Sequence, residues 1–463
     1  MTAEPRSTPS TPEPASAPTV PPPTPAPVAD ASTSRTGEQG AARAAALASR
    51  DFVVDLARVA CILLVVVIHL LMIGVGYAPD GSLVVSRPLE AQPWFAPATW
   101  FGQIMPLFFA VGGFTALAAW RSLRRRGGDA TAFVRGRVLR LAGPALPLFV
   151  FFSVVLGAAT LIGVDPTLLD TIATGTGSPL WFLAAFLIAQ CAVPWLSQLH
   201  ERAPRATLVV LAAGAVAIDA LRITTGVVEI GLANLFFVWL FVQQLGFWYS
   251  DGWFRRRRVV TLVGIAAAAY LVIWPLVAAG WYSPDMLVNL NPPTMPLALL
   301  GIAQLSLMSA LHRPLSALMR RRPAQAVVYL VGSRAMTVYL WHLPVIIIVE
   351  GLSLLIPGAA PEPGSAGWWA SRPLALIVVL GIVFAIAPLL VRFERLSTAI
   401  PEGFRAPSPT ATAAAAVLAI VPPFLVMQWF LDLPIALVGT ALLVAVLLLL
   451  RPRLGALRGG LHA

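Results

Sequence analysis

The sequence contains no lysine; all 32 of its basic residues are arginine. Arginine is therefore this chain's default cation, and its type alone carries no message about phosphate. Charge of either sign is scarce, at 11% of residues against about 25% in soluble domains. That excludes an ordinary water-soluble fold for most of the 463 residues, and it removes nucleic acid as the reading of the +11 net charge. Cysteine is limited to Cys61 and Cys191, both inside apolar runs. A disulfide framework on the loops is excluded, and no metal-ligand spacing is present. Between the apolar runs the loops are short, so no soluble domain is expected at either end.

What the chain has in abundance is apolar sequence: 58% of residues are hydrophobic, in runs of about 20 that recur along nearly the whole length. Twelve spans are expected, at 52–74, 97–120, 141–163, 179–199, 206–222, 230–249, 259–280, 295–312, 336–357, 373–391, 411–431 and 434–450. The fold class is all-α, a polytopic transmembrane helix bundle. Alternate loops carry the arginines, from Arg121–Arg140 through Arg255–Arg258 to Arg451–Arg458, while the opposite loops hold only Arg87, Arg222 and Arg372. The positive-inside rule puts both termini in the cytoplasm. Residues 1–50, rich in Pro, Ala, Thr and Ser, read as a disordered cytoplasmic tail. They are not a signal peptide, because the first apolar run starts after residue 51 and is too long for one. Pro422-Pro423 in the eleventh span suggests a broken helix.

The most informative stretch is Asp51 to Gly76, apolar enough to cross a bilayer yet carrying Asp55, Arg58 and His69. Ionisable groups at membrane depth are costly and are functional candidates by default. Eleven positions separate Arg58 from His69. On a helix that is three turns plus about 20°, so both face one way, about 16 Å apart along the axis. Asp55 lies one turn below Arg58 and steadies it. His69 reads either as a neutral imidazole bonded to a neighbouring helix or as a general base for a hydroxyl. Arg58, near the cytoplasmic headgroup level, suits an anion.

Other clusters follow. Arg135, Arg137 and Arg140, with Pro144, stand at the mouth of the third span and read either as positive-inside charge or as a phosphate site. Tyr339 and His342 share a helix face in the ninth span, where Pro344 is expected to kink the helix beside a cavity. Trp181 opens the fourth span, as an interfacial belt residue or a site residue. Glu350 lies deep and needs a partner or a proton. Asp219 and Arg334, near span ends, can snorkel. Gln103, Gln190, Asn234, Gln243, Gln244 and Gln304 read as polar glue between helices.

In this order and spacing the clusters resemble the acyltransferase-3 family of integral-membrane acyltransferases. The carrying features are Asp55, then Arg58 and His69 with ten residues between; Phe108, Phe109, Gly113 and Phe114; the Arg135–Pro144 entry; Trp181 to Leu183; and Tyr339 to Pro344. Gly112 departs from the pattern, standing where the family often has serine. The resemblance covers about residues 50–395. It implies a ten-span acyltransferase-like domain over 51–395, followed by two extra spans and a short cytoplasmic C-terminus over 396–463.

The resemblance further implies transfer of an acyl group, usually acetyl, from acyl-CoA as co-substrate to a hydroxyl of a carbohydrate or secreted acceptor. It implies no permanently bound cofactor and a bacterial cell membrane. Catalysis would fall to His69, Arg58 and Asp55. Donor binding would fall to Arg58, Arg135, Arg137, Arg140, Tyr339 and His342, and substrate binding to Trp181 and Glu350. A secondary transporter is the alternative. The two halves of the chain repeat neither the Arg–His stripe nor the loop motifs, which counts against it.

Overall fold

The computed structural model describes residues 1–2, 51–77, 80–165, 180–394, 396, 398–401 and 404–454. The tail expected over residues 1–50 and the chain beyond 454 lie almost wholly outside these. Sixteen helices dominate the described residues, with two minimal strand pairs, β1 Gly74–Tyr77 with β2 Leu83–Ser86 and β3 Phe404–Arg405 with β4 Arg453–Leu454. The helices are α1 Phe52–Met72, α2 Phe95–Gly102, α3 Met105–Arg125, α4 Ala130–Leu161, α5 Trp181–Cys191, α6 Val193–Arg202, α7 Pro204–Thr225 and α8 Asn234–Ser250. They continue as α9 Val259–Ala278, α10 Met295–Ala310, α11 His312–Leu318, α12 Arg322–Gly332, α13 Ala335–Ser353, α14 Ala366–Glu394, α15 Pro409–Trp429 and α16 Leu433–Leu449.

Each of the twelve expected spans finds helix. Ten segments are long and apolar enough to cross a membrane. Another is the α10–α11 pair, bent by 63°, and the last is the shorter α16. Asp129, Ser408 and Asp432 cap α4, α15 and α16 through their side-chain oxygens, satisfying helix-end N–H groups that lipid could not. Gly226, at φ 71°, ends α7 in the left-handed conformation that glycine adopts without strain.

The second span is interrupted at Gln103 and Ile104, between α2 and α3. Gln304 on α10 repairs the interruption: its Oε1 accepts from Leu107 N at 3.0 Å and its Nε2 donates to Gln103 O at 2.5 Å. Conversely, α15 runs unbroken through Pro422-Pro423, so the expected break there does not occur. Its buried face, Ala415, Ala419, Pro422 and Val426, packs into the second core with α4 and α5. The helix α13 likewise runs through Pro344.

Two glycines let α3 and α8 meet backbone to backbone. A Cβ on Gly246 would strike the Ala110 carbonyl and lie 2.8 Å from Phe114 N; one on Gly113 would strike the Gln243 carbonyl. Small residues at such crossings are how helices approach closely in lipid. The last two helices pack on α4 and α5. Gly439 receives the Phe149 ring, Ser153 and Thr440 meet at 3.1 Å, and Arg135 donates to the carbonyls of Thr398 at 2.7 Å and Leu450 at 3.1 Å. They brace the helix that also carries Arg137 and Arg140.

Asp219 does not snorkel. It is buried, accepting from Asn234 Nδ2 at 2.9 Å, Tyr282 OH at 2.9 Å and Met295 N at 2.8 Å. Burial and the neighbouring Asp219 carboxyl push the Tyr282 phenol well above its ordinary range. This knot, with Trp100 Nε1 on Pro284 O at 2.8 Å and Met286 N on Thr99 Oγ1 at 2.8 Å, orders the 281–294 loop.

Candidate active site

A cavity of about 310 Å³ runs among α1, α3, α4, α5 and α13. Its arginine end is lined by Arg58, Arg137, Arg140 and Gly332, and its midsection by Gly112, Thr115, Phe186 and Gln190. His69, His342, Tyr339, Phe182 and Trp181 follow, and Gln103, Ile104, Leu287 and Leu290 line the far end. The interrupted second span thus lines the cavity, where irregular backbone at membrane depth is tolerated.

His69 and His342, 273 positions apart, meet with Nδ1 of His69 2.9 Å from Nε2 of His342, their rings stacked at 5.1 Å. The tautomers follow from what lies beyond. His342 Nδ1 faces two carbonyls, Val338 O at 3.0 Å and Tyr339 O at 2.8 Å. Carbonyls only accept, so Nδ1 carries the proton and Nε2 a lone pair. That lone pair accepts from His69 Nδ1–H. His69 Nε2 is left with its lone pair, and it has no hydrogen-bond partner among the described residues. An imidazole fixed in this way is a base aimed into a cavity. His342 is fully buried, and the Tyr339 hydroxyl meets the backbone of Leu183 at the start of α5, holding the surroundings rigid.

At the other end, Arg58 lies about 16 Å along α1 from His69. Its Nη2 is 3.5 Å from Asp55 Oδ1, and its buried Nε has no hydrogen-bond partner among the described residues. Asp55, on α1 itself, is buried and does not line the cavity. Arg137 and Arg140 do line it, and no carboxylate among the described residues pairs with either. Arg137 lies over the Phe133 ring at 4.7 Å. Two guanidinium groups without a counter-charge are suited to an anion.

Three expected site residues fall outside the cavity, Asp55 and two others. Arg135 points away from the cavity, 5% exposed, with its donors on Thr398 and Leu450. Residues 135 and 137 are about 200° apart around a helix, so they cannot both face one site. Glu350 is 3% exposed and pairs with Arg372 at 2.6 Å, and Arg372 lies over the Trp368 ring at 4.3 Å. That pair joins α13 to α14 away from the cavity. Trp181 is in place, stacked on Trp239 at 5.9 Å. His342 lines the cavity as well, where it touches His69.

Sequence reasoning missed two features. Gln190, read as glue, is 1% exposed, lines the cavity, and its Nε2 has no hydrogen-bond partner among the described residues. Leaving such a donor unpaired costs about 1–3 kcal/mol. The second is His200, which binds Asp251 Oδ2 at 2.8 Å through Nε2 and Gln244 Nε2 at 2.5 Å through Nδ1, with Arg121 on Asp251 Oδ1 at 2.8 Å. Both ring nitrogens of His200 are consumed, so this cluster ties α3, α6 and α8 and offers no base. Burial of Asp251 would raise its carboxyl, but Arg121 and His200 outweigh it and hold the group below the usual carboxylate range.

Comparison with known proteins gives one assignment: the family model described as an acyltransferase domain matches residues 52–392. The match includes the cavity and ends before α15 and α16. No curated protein and no solved structure matches the chain.

Proposed function

From the premise that this chain belongs to the acyltransferase-3 family and is a multi-pass membrane acyltransferase, we propose that it moves an acyl group, in the simplest case acetyl, from acyl-CoA to a hydroxyl, with His69 as general base. The observation that carries this reading is the Nε2 of His69, unpartnered among the described residues, in a cavity that also holds Arg137 and Arg140 with no carboxylate of those residues paired to either. The arginine end faces the cytoplasm, in keeping with the positive-inside rule. The phosphates of the nucleotide sit there, and the thin arm of CoA extends toward the histidines.

The proton path is short. His69 Nε2 takes the acceptor's hydroxyl proton as the oxygen attacks the thioester carbonyl. The new C–O bond forms, the C–S bond breaks, and the leaving thiolate recovers the proton from His69. Throughout, His342 Nε2 accepts from His69 Nδ1–H, holding the tautomer that leaves Nε2 basic. His342 is thus a positioning residue rather than a donor ligand. A cavity near 310 Å³, at the low end of ligand pockets, receives an extended arm and a hydroxyl, not a whole glycan. The acceptor, a carbohydrate or other envelope or secreted molecule, then approaches from the end lined by Leu287 and Leu290.

The test uses purified protein in detergent. Wild type is expected to be stabilised thermally by CoA and to release CoA from acetyl-CoA, while His69→Ala keeps the thermal shift and loses the release. Equal release by both proteins sinks the assignment of the base. A wild type that CoA does not stabilise sinks the donor.

A further inference from the structure

We infer that Gln190 is the residue that reads the donor's arm, pairing its buried side-chain amide with a secondary amide of the pantetheine chain; this rests on the acyl-CoA reading above. Gln190 stands on α5 between the two ends of the cavity. Leu183, on the same helix and level with Tyr339, lies seven residues and so about 10 Å from it toward the histidines. On the other side, Cys191 follows Gln190 near Arg137. Any chain that reaches from the arginines to His69 passes Gln190.

Three observations converge at this point. The Gln190 amide is all but inaccessible, yet its Nε2 has no hydrogen-bond partner among the described residues. Its other neighbours in the cavity wall include Phe182, Leu183 and Phe186, which offer no side-chain polar atom, and the Thr115 hydroxyl of the midsection is taken up by Gly112 O at 3.0 Å. Opposite it, Gly112 presents no side chain: a Cβ there would come within 2.7 Å of Phe186 and 3.8 Å of Gln190 Nε2. Gly112 thus sets no side chain of its own beside the unpaired donor, and the Phe186 ring packs into the space it leaves. A ligand group that fits must be slim, must carry an acceptor, and must tolerate an otherwise apolar lining. A secondary amide meets all three conditions. It also carries both an N–H and a C=O, so it pairs with either orientation of the Gln190 amide. A hydrocarbon chain does not satisfy the donor.

The experiment compares the affinities of wild type and Gln190→Met for two ligands by titration in detergent. One ligand is CoA. The other is its nucleotide portion without the arm, 3′-phospho-ADP. Methionine matches glutamine in length and removes the amide. The variant is expected to bind CoA about tenfold more weakly, a loss of roughly 1.4 kcal/mol, and the nucleotide portion as well as wild type does. Its ligand-free melting temperature is expected to hold or rise, since an unpaired buried donor is gone. Undiminished CoA affinity in the variant, or equal loss for both ligands, overturns this inference and leaves the donor reading standing. Failure of wild type to bind CoA overturns the donor reading and this inference with it.

Discussion

Replacing His342 with leucine tests whether the base is set by its neighbour. His342 Nε2 is the acceptor for His69 Nδ1–H, at 2.9 Å, and no carboxylate among the described residues bonds to either ring. Leucine leaves that N–H in an apolar wall without an acceptor, at a cost of about 1–3 kcal/mol. His69 then gains by moving its proton to Nε2, which abolishes the base. Weighted by that energy, the competent tautomer falls by about 5- to 150-fold. Full loss of general-base catalysis sets the ceiling, about 10⁴-fold. The expected result for His342→Leu is a kcat about 100-fold down with KM for acyl-CoA within about threefold of wild type. His342→Gln offers a carbonyl acceptor to His69 and is expected to recover at least about tenfold of the loss. The assay is CoA release from acetyl-CoA by purified protein, with thermal melting as the folding control. A His342→Leu protein with wild-type kcat refutes the reasoning. A loss carried wholly by KM returns His342 to donor binding.

Three further outcomes are expected. Arg137→Ala and Arg140→Ala should each raise the KM for acyl-CoA about tenfold, the worth of one charge-assisted hydrogen bond, whereas Arg135→Ala should lower the melting temperature and leave KM alone; steady-state kinetics with melting curves separate the two. Glu350→Ala strands the Arg372 guanidinium in a buried site and should cost about 3–5 kcal/mol, seen as a lower melting temperature with unchanged kcat in the folded fraction. Gly246→Ala drives a Cβ into the Ala110 carbonyl, where backbone cannot give way, and should destabilise by about 1–3 kcal/mol, while Gly264→Ala, with open space around it, should melt like wild type.

Much of this architecture is legible in the chain, because lipid leaves a sequence few options: apolar runs of span length become helices, and all twelve did. The segments it hides are those whose backbone is satisfied from afar. The interruption at Gln103 depends on Gln304, about 200 positions away, and the amphipathic helix Arg322–Gly332 is too short to register as a span. In the site, Arg58 and His69 were legible from helix geometry alone. The same geometry separates Arg137 and Arg140, which share a face, from Arg135, which does not. The partner of His69 was not legible, since nothing in the local sequence links positions 69 and 342. Nor was the partner of Glu350, because Arg372 reads as a loop charge until the start of α14 brings it inward. Gln190 looked like any other membrane glutamine; Gln243 and Gln244 also carry an unpartnered buried amide atom, and what distinguishes Gln190 is that its own lies in the cavity wall.

The central claim is that His69 activates a hydroxyl for acyl transfer from CoA. Its most direct test follows radiolabelled acetyl from acetyl-CoA into any non-CoA product, in membranes containing wild type or His69→Ala at equal abundance. Label should appear in an alkali-labile ester with wild type and stay at background with His69→Ala, although both proteins retain CoA-dependent thermal stabilisation. Equal labelling by the two proteins would contradict the account.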